Sequence, residues 1–241
     1  MSAPLVAARG LHQAYGRQPA LRGVDLEVRA GEAVALLGEN GAGKSTLLRI
    51  LSTMERPRRG EVTFADGLAD EALRAAIGVV AHESLCYADL SARENLRFFG
   101  ALYAVPELPA RIETLLRRVA LDHAADRPAR TYSRGMLQRL AVARALVHAP
   151  RLLLLDEPFT GLDRQGAALL TRILSDEKAR GAAIVVVSHD LPAIAPFVDR
   201  ALVLARGRVE RAASLPPPGS GEDRLAALEH LYDDAAARGA A

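Results

Sequence analysis

The 241-residue chain has one cysteine, Cys86, and no tryptophan. A single thiol excludes an intrachain disulfide and fits a reducing compartment. Cys86 reads more simply as an inert side chain than as a reactive one. Charge of one sign is missing too: the formal net charge is +2 at pH 7, and no basic run occurs. No nucleic-acid partner is therefore expected. No apolar run approaches the ~20 residues needed to cross a bilayer; the longest lie near Leu152–Leu155 and Ala182–Val187. The chain does not open on a charged region followed by an apolar stretch, so no signal peptide is expected. Internal repeats are absent. Lysine is the scarcest charged type: Lys44 and Lys178 stand alone, and arginine supplies the remaining positive charge.

Half of the residues are hydrophobic, which suits a globular chain of one large or two small domains. One of the two lysines sits in Gly38-Glu39-Asn40-Gly41-Ala42-Gly43-Lys44-Ser45-Thr46. This stretch fits G-x-x-x-x-G-K-[ST], a phosphate-binding loop. Glycines let the backbone fold closely around phosphate oxygens, and the exposed N–H groups then point at the anion. Lys44 would reach the outer phosphates, and Ser45 would ligate Mg²⁺. Arginine's broad fork cannot replace a compact ammonium in such a cradle. Ala33–Leu37 reads as a buried strand before the loop, and Lys44–Met54 as a helix after it. That order aims a helix N-terminus at the phosphates.

The rest of the chain frames this unit. Residues 4–31 alternate apolar and polar, with Val24, Leu26 and Val28 on one face, and read as short antiparallel strands. Tyr15 falls in a turn-like region with Gly16 and Pro19. Gly60–Phe64 and Ile77–Val80 are further strands. Residues 83–148 change texture and become helical. Ser91 and Glu94 form a capping box opening a helix through Leu102, Pro106 and Pro109 break it, and Ile112, Leu115, Leu116 and Val119 carry the next. Ser133 opens a third. Leu152–Glu157 begins with a continuous apolar run, as in a strand covered on both faces. A helix near Leu169–Ala179, a strand Ala183–Val187 and a hairpin Ala201–Val209 follow. Residues 215–221 read as a linker, and Leu225, Leu228, Leu231 and Tyr232 as an amphipathic stripe packing on the domain or on a neighbour.

The expected fold is thus α/β: a phosphate-loop nucleotide-hydrolase core with a mostly parallel sheet, an antiparallel β subdomain and an inserted helical subdomain at about 83–150. The expected domain is 1–214, with linker and C-terminal helix at 215–241. Ligands gather at the carboxyl ends of parallel strands, and two strands end in chemistry there. Asp156 is placed to hold Mg²⁺ and Glu157 to take a proton from water; both could instead be solvated turn residues. His189, after the strand Ala183–Val187, could touch the outermost phosphate or simply cap the next helix. His82 follows Ile77–Val80 in the same way. Asp163 could be no more than a helix N-cap.

Taken together, these motifs resemble the nucleotide-binding subunit of ATP-binding-cassette transporters over roughly residues 4–210. The resemblance implies ATP and Mg²⁺ as ligands. It makes Asp156 the Mg²⁺ residue, Glu157 the catalytic base, His189 the switch histidine and Tyr15 the ring that stacks on adenine. Asp163 matches the aspartate at the dimer seam. The family signature, commonly Leu-Ser-Gly-Gly-Gln, stands here as Tyr132-Ser133-Arg134-Gly135-Met136; Ser133 and Gly135 are kept, the pair that meets the opposite subunit's nucleotide. His82 replaces the usual glutamine of the loop linking the cleft to the membrane partner. The implied partners are a transmembrane permease subunit and a second nucleotide-binding domain, in a homodimer or pseudo-dimer. The implied location is cytoplasmic, peripheral on the inner face of the cell membrane. His82, the variant signature and Leu96–Tyr103 further resemble the ATPase of the haem exporter of cytochrome c maturation. Drug- and polysaccharide-type exporters are the alternative, and a non-transport ATPase acting on DNA or ribosomes is a third.

Overall fold

The computed structural model describes residues 3–67, 70–217 and 223–239. In chain order the elements are β1 (Val6–Tyr15), β2 (Gln18–Val28), β3 (Ala33–Leu37), α1 (Lys44–Leu51), β4 (Arg59–Phe64), α2 (Asp70–Ala75), β5 (Ile77–Val80), α3 (Ala92–Leu102), α4 (Leu108–Arg118), α5 (Arg134–Leu146), β6 (Leu152–Asp156), α6 (Arg164–Ala179), β7 (Ala183–Val187), α7 (Leu191–Ile194), β8 (Arg200–Ala205), β9 (Arg208–Ser214) and α8 (Arg224–Gly239).

The strands form two sheets. A six-stranded sheet runs β5-β6-β7-β3-β8-β9, parallel except for the antiparallel β8–β9 hairpin. A three-stranded antiparallel sheet runs β2-β1-β4. The central strands are apolar at nearly every position because both faces are covered. On one face Val34, Leu36, Leu154 and Val185 pack with Leu47, Leu51 and the antiparallel sheet. On the other, Ala35, Leu153, Leu155 and Val186 pack with Leu96, Leu115, Leu116, Leu140 and Leu146 of α3, α4 and α5. The helical insertion therefore shares its core with the parallel sheet. The anticipated α/β architecture is what forms.

Several local expectations need correction. The helix after the phosphate loop stops at Leu51, not Met54. Thr53 takes a left-handed conformation with φ 62, which an α-helix cannot accommodate, and Met54 is left exposed. Tyr15 is not in a turn; it is the last residue of β1, paired with Gln18. The strands of residues 4–31 are longer than anticipated, 10 and 11 residues, with register shifts on either side of Leu11. The short helix α2 was not anticipated. Helix α6 begins at Arg164, five residues before its first strong apolar position, because Asp163 caps it by accepting from Gly166 N–H at 2.7 Å. Pro218–Gly221 of the anticipated linker lies outside the described residues. The C-terminal stripe folds back on the domain: Leu228 and Leu231 are buried in the same cluster as the sheet.

Ion pairs from Arg118 to Glu177 and, at 3.3 Å, to Asp176 fasten the helical insertion to the core. Arg118, at the end of α4, meets the buried Glu177 of α6, which also accepts from Arg180 Nη1 at 2.8 Å. Arg139 of α5 closes the same side by donating to Val119 and Ala120 carbonyls at 2.8 and 2.6 Å.

Candidate functional site

Strand order decides what meets what. β5, β6, β7 and β3 lie side by side, and the residues that follow them line up along one sheet edge. His82 comes after β5, Asp156 and Glu157 at the end of β6, His189 after β7, and the loop Gly38–Thr46 after β3. The row opens into a cleft of about 710 Å³, also lined by Tyr15, Gln18, Thr160 and Val187.

The glycine loop has the backbone its composition anticipates. Gly38 has φ +135 and a Cβ there would lie 2.1 Å from Leu204 O. Gly43 has φ +107 and a Cβ would lie 2.5 Å from Ala20 O. Both positions need glycine for conformation and for space. Helix α1 starts directly after Gly43, so its first N–H groups face the cleft. Lys44 is buried and folds back on the loop: its Nζ donates to Gly38 O at 2.6 Å and to Glu39 O at 2.9 Å. An ammonium carries three protons, so one is left for a ligand. Burial lowers the Lys44 pKa, while the carboxylates of Glu157, Asp156 and Glu39 oppose that shift. Ser45 is exposed at the helix start.

The acidic pair is set differently from an ordinary strand end. Asp156 still pairs with Val187 in the ladder. Glu157 turns left-handed, with φ 50, while its N–H donates to Val187 O at 2.9 Å. A non-glycine residue held there costs on the order of 1–3 kcal/mol. The kink brings the Glu157 carboxylate to His189. His189 N–H donates to Oε2 at 3.3 Å, and His189 Nε2 stands 3.3 Å from Oε1. Oε1 is buried and accepts no well-aligned hydrogen bond among the described residues, so it retains capacity for a proton or a water. Asp190, not His189, caps α7 by accepting from Ala193 N–H at 3.1 Å. Tyr15 lines the mouth, half-exposed, and its hydroxyl donates to Glu55 Oε2 at 2.7 Å. Burial and that acceptor raise its pKa. Glu55 carried no signal in the sequence.

Ser133, Gly135 and Asp163 are not in this cleft. They line a second one of about 490 Å³ with Arg134, Arg139 and Gly161. Ser133 caps α5, accepting from Met136 N–H at 3.3 Å. The Arg134 stem crosses Gly161 so closely that a Cβ at 161 would lie 2.6 Å from Arg134 Cγ. Gln138 Nε2 donates to Pro158 O at 2.8 Å, tying α5 to the loop that follows Glu157. The chain thus presents two separate clefts.

A third surface lies on the helical side. Tyr87, Phe98 and Phe99 pack together, with ring centroids 5.0 Å apart for Tyr87–Phe98 and 5.2 Å for Phe98–Phe99. Tyr87, Phe98, Leu85 and Leu102 are exposed. Beneath them Arg144 of α5 sits 5.3 Å from the Phe99 ring centroid and donates from Nη2 to Val79 O at 2.6 Å. Cys86 is largely enclosed beside it, and burial pushes its pKa up to about 11, as befits an unreactive thiol. Among the described residues no helix is long and apolar enough to cross a membrane.

Comparison with known proteins follows the same lines. The ABC transporter family profile matches residues 21–160. The Nod factor export ATP-binding protein I of Ralstonia nicotianae is 36% identical over 213 residues, covering 86% of this chain and 66% of that protein. The ABC transporter ATP-binding protein NatA of Bacillus subtilis is 36% identical over 197 residues, covering 79% of this chain and 80% of NatA. Import ATP-binding proteins, for spermidine/putrescine and for Fe(3+), are also among the relatives. A dimeric ATP-binding cassette solved in a post-hydrolysis state with ADP and Pi superposes with a TM-score of 0.79 at 29% identity, covering 88% of this chain and 99% of that one.

Proposed function

Because this chain belongs to the ABC transporter family, as one of its ATP-binding ATPase subunits, we propose that its phosphate-loop cleft hydrolyses ATP to drive a separate transmembrane permease. The observation that carries this reading is the convergence of buried Lys44, the N-terminus of α1, Asp156, Glu157, His189 and His82 on one cleft. The loop N–H groups and the remaining Lys44 proton would hold the outer phosphates. Tyr15, at the mouth, would stack on adenine.

The donor set fits magnesium. Ser45 and Asp156 offer two oxygens, and among the described residues no cluster of three or more His, Cys, Asp or Glu side chains forms a protein cage. A small hard cation that keeps waters and shares phosphate oxygens is suited by such a site. Bound there, it would neutralise charge on the transferred phosphoryl group. Glu157 Oε1 would accept a proton from the attacking water. His189 would hold that carboxylate and touch the outermost phosphate, and His82 would sense the same group from β5. Ser133 and Gly135 would reach the nucleotide of a second copy, with Asp163 at the seam, which accounts for two half-sites on one chain.

The exposed apolar patch of Tyr87, Phe98 and Leu102 would receive the permease. On this reading the subunit would work in the cytoplasm, on the inner face of the membrane. We read the transporter as an exporter, and the variant signature Tyr132–Met136 with Leu96–Tyr103 favours haem as its cargo over drugs or polysaccharides.

Lys44→Ala tests the reading. ATP binding by isothermal titration and phosphate release should both fall at least tenfold, with the fold retained by circular dichroism. Unchanged turnover would show that the phosphate loop is assigned wrongly. Haem as cargo is tested by reconstituting the subunit with its permease in vesicles; ATP-dependent movement of another solute, and none of haem, would overturn it.

A further inference from the structure

Among the described residues, two side chains make a polar or ring contact with the imidazole of His189. One is Glu157, described above. The other is Tyr232, on the C-terminal helix α8, whose ring meets it edge-to-face with centroids 6.4 Å apart and planes at 85°. That spacing and angle fall in the favoured range for an aromatic pair. His189 is otherwise open: its side chain is 49% exposed.

Helix α8 is well anchored for such a contact. Leu228 and Leu231 are buried in the domain core, and Arg224 Nε donates to Ala195 O at 2.9 Å. Tyr232 also lines a slot of about 140 Å³ against Gly38–Ala42 and Val203–Arg206. It therefore stands at the rim where the outer side of the phosphate loop meets the histidine.

We propose that Tyr232 is a positioning residue for His189, through which the C-terminal helix sets the rate of hydrolysis. A half-exposed imidazole samples several rotamers. The tyrosine ring closes off those that swing outward and keeps Nε2 beside Glu157 Oε1. The contact is made by the ring and needs no hydroxyl, so phenylalanine replaces tyrosine. Release of α8 frees the histidine, and any partner that lifts the helix slows turnover without touching nucleotide. This rests on the reading of His189 as part of the hydrolytic site.

The test uses the full chain with Mg-ATP and three variants. Tyr232→Ala should lower kcat about two- to tenfold, the span of an aromatic pair contact, with KM for ATP unchanged. Tyr232→Phe should restore kcat. His189→Ala should lower kcat on its own, and adding Tyr232→Ala to it should cost nothing more. Nuclear magnetic resonance reads the contact directly: the His189 ring protons should shift in Tyr232→Ala and not in Tyr232→Phe. Should Tyr232→Ala lower the melting temperature, Tyr232→Leu keeps the apolar packing without the ring and should behave as Ala does in kcat. Unchanged kcat in Tyr232→Ala with an impaired His189→Ala overturns the proposal, as do additive losses in the double variant. An unimpaired His189→Ala overturns the underlying reading of the histidine instead.

Discussion

Glu157→Gln isolates the proton-accepting role from everything else that residue does. The carboxamide has the same length and keeps an oxygen for the His189 N–H, now 3.3 Å from Oε2. It inherits the same left-handed backbone, φ 50, so the kink that aims the side chain is unchanged. What it loses is basicity. A positioned general base contributes about 10²–10⁴ in rate, or roughly 2.7–5.4 kcal/mol of barrier at about 1.36 kcal/mol per tenfold. Nucleotide affinity should hold or rise, because one negative charge is removed beside the phosphate site. Phosphate release should therefore fall by at least about a hundredfold while equilibrium ATP binding persists. Sedimentation should then show a dimer accumulating with Mg-ATP. A kcat within threefold of the parent would refute the assignment of water activation to Glu157. Loss of ATP binding would refute the claim that the carboxylate is dispensable for holding nucleotide.

Two further outcomes concern the scaffold. Arg118→Met strips the buried Glu177, 7% exposed at its side chain, of its less exposed partner, leaves it the Arg180 contact among the described residues, and removes the more exposed Asp176 pair as well. The expected cost is about 3 kcal/mol, the low end for a broken buried pair. That is a fall in Tm of roughly 6–12 °C for a chain of this size. Adding Glu177→Leu should recover most of it, and a single-variant loss under about 1 kcal/mol would mean solvent already screens the pair. His148 offers a pH test. Its Nε2 lies 3.1 Å from Ile77 O, and burial lowers its pKa from the ordinary 6.5. Below that ordinary value the unfolded chain binds the proton the folded chain refuses, so stability falls as pH drops. His148→Gln should flatten the decline in melting temperature between about pH 7 and pH 5.5; an identical decline would assign it to other groups.

The parts of the fold visible in the sequence were those where one local rule decides. Gly38 and Gly43 announce a loop no other residue could form, and the Ser91–Glu94 capping box fixes the start of α3. The four leucines of β6 declare a strand covered on both faces. The candidate cleft was readable for the same reason: the residues that line it follow strand ends, and strand ends in a parallel sheet converge. What stayed hidden depends on partners distant in sequence. Nothing near Tyr15 indicates that β1 continues through it, since the pairing with Gln18 and the acceptor Glu55 come from elsewhere. Thr53 ends α1 through a backbone conformation that its side chain does not advertise. The stripe of Leu228 and Leu231 signals burial, but not that Tyr232 would arrive beside His189, 43 positions earlier.

Arg144 has a mechanical consequence. Its guanidinium is shared between the Phe99 ring and the carbonyl of Val79, three residues before His82. If the outer aromatic surface receives the permease as proposed, a load on it would pass through this planar cation to the end of β5 and on to the histidine at the lip of the cleft. On the proposed reading, a permease seated on the rings would be joined to the cleft through this one guanidinium, and closure of the cleft would be felt at the rings by the same route.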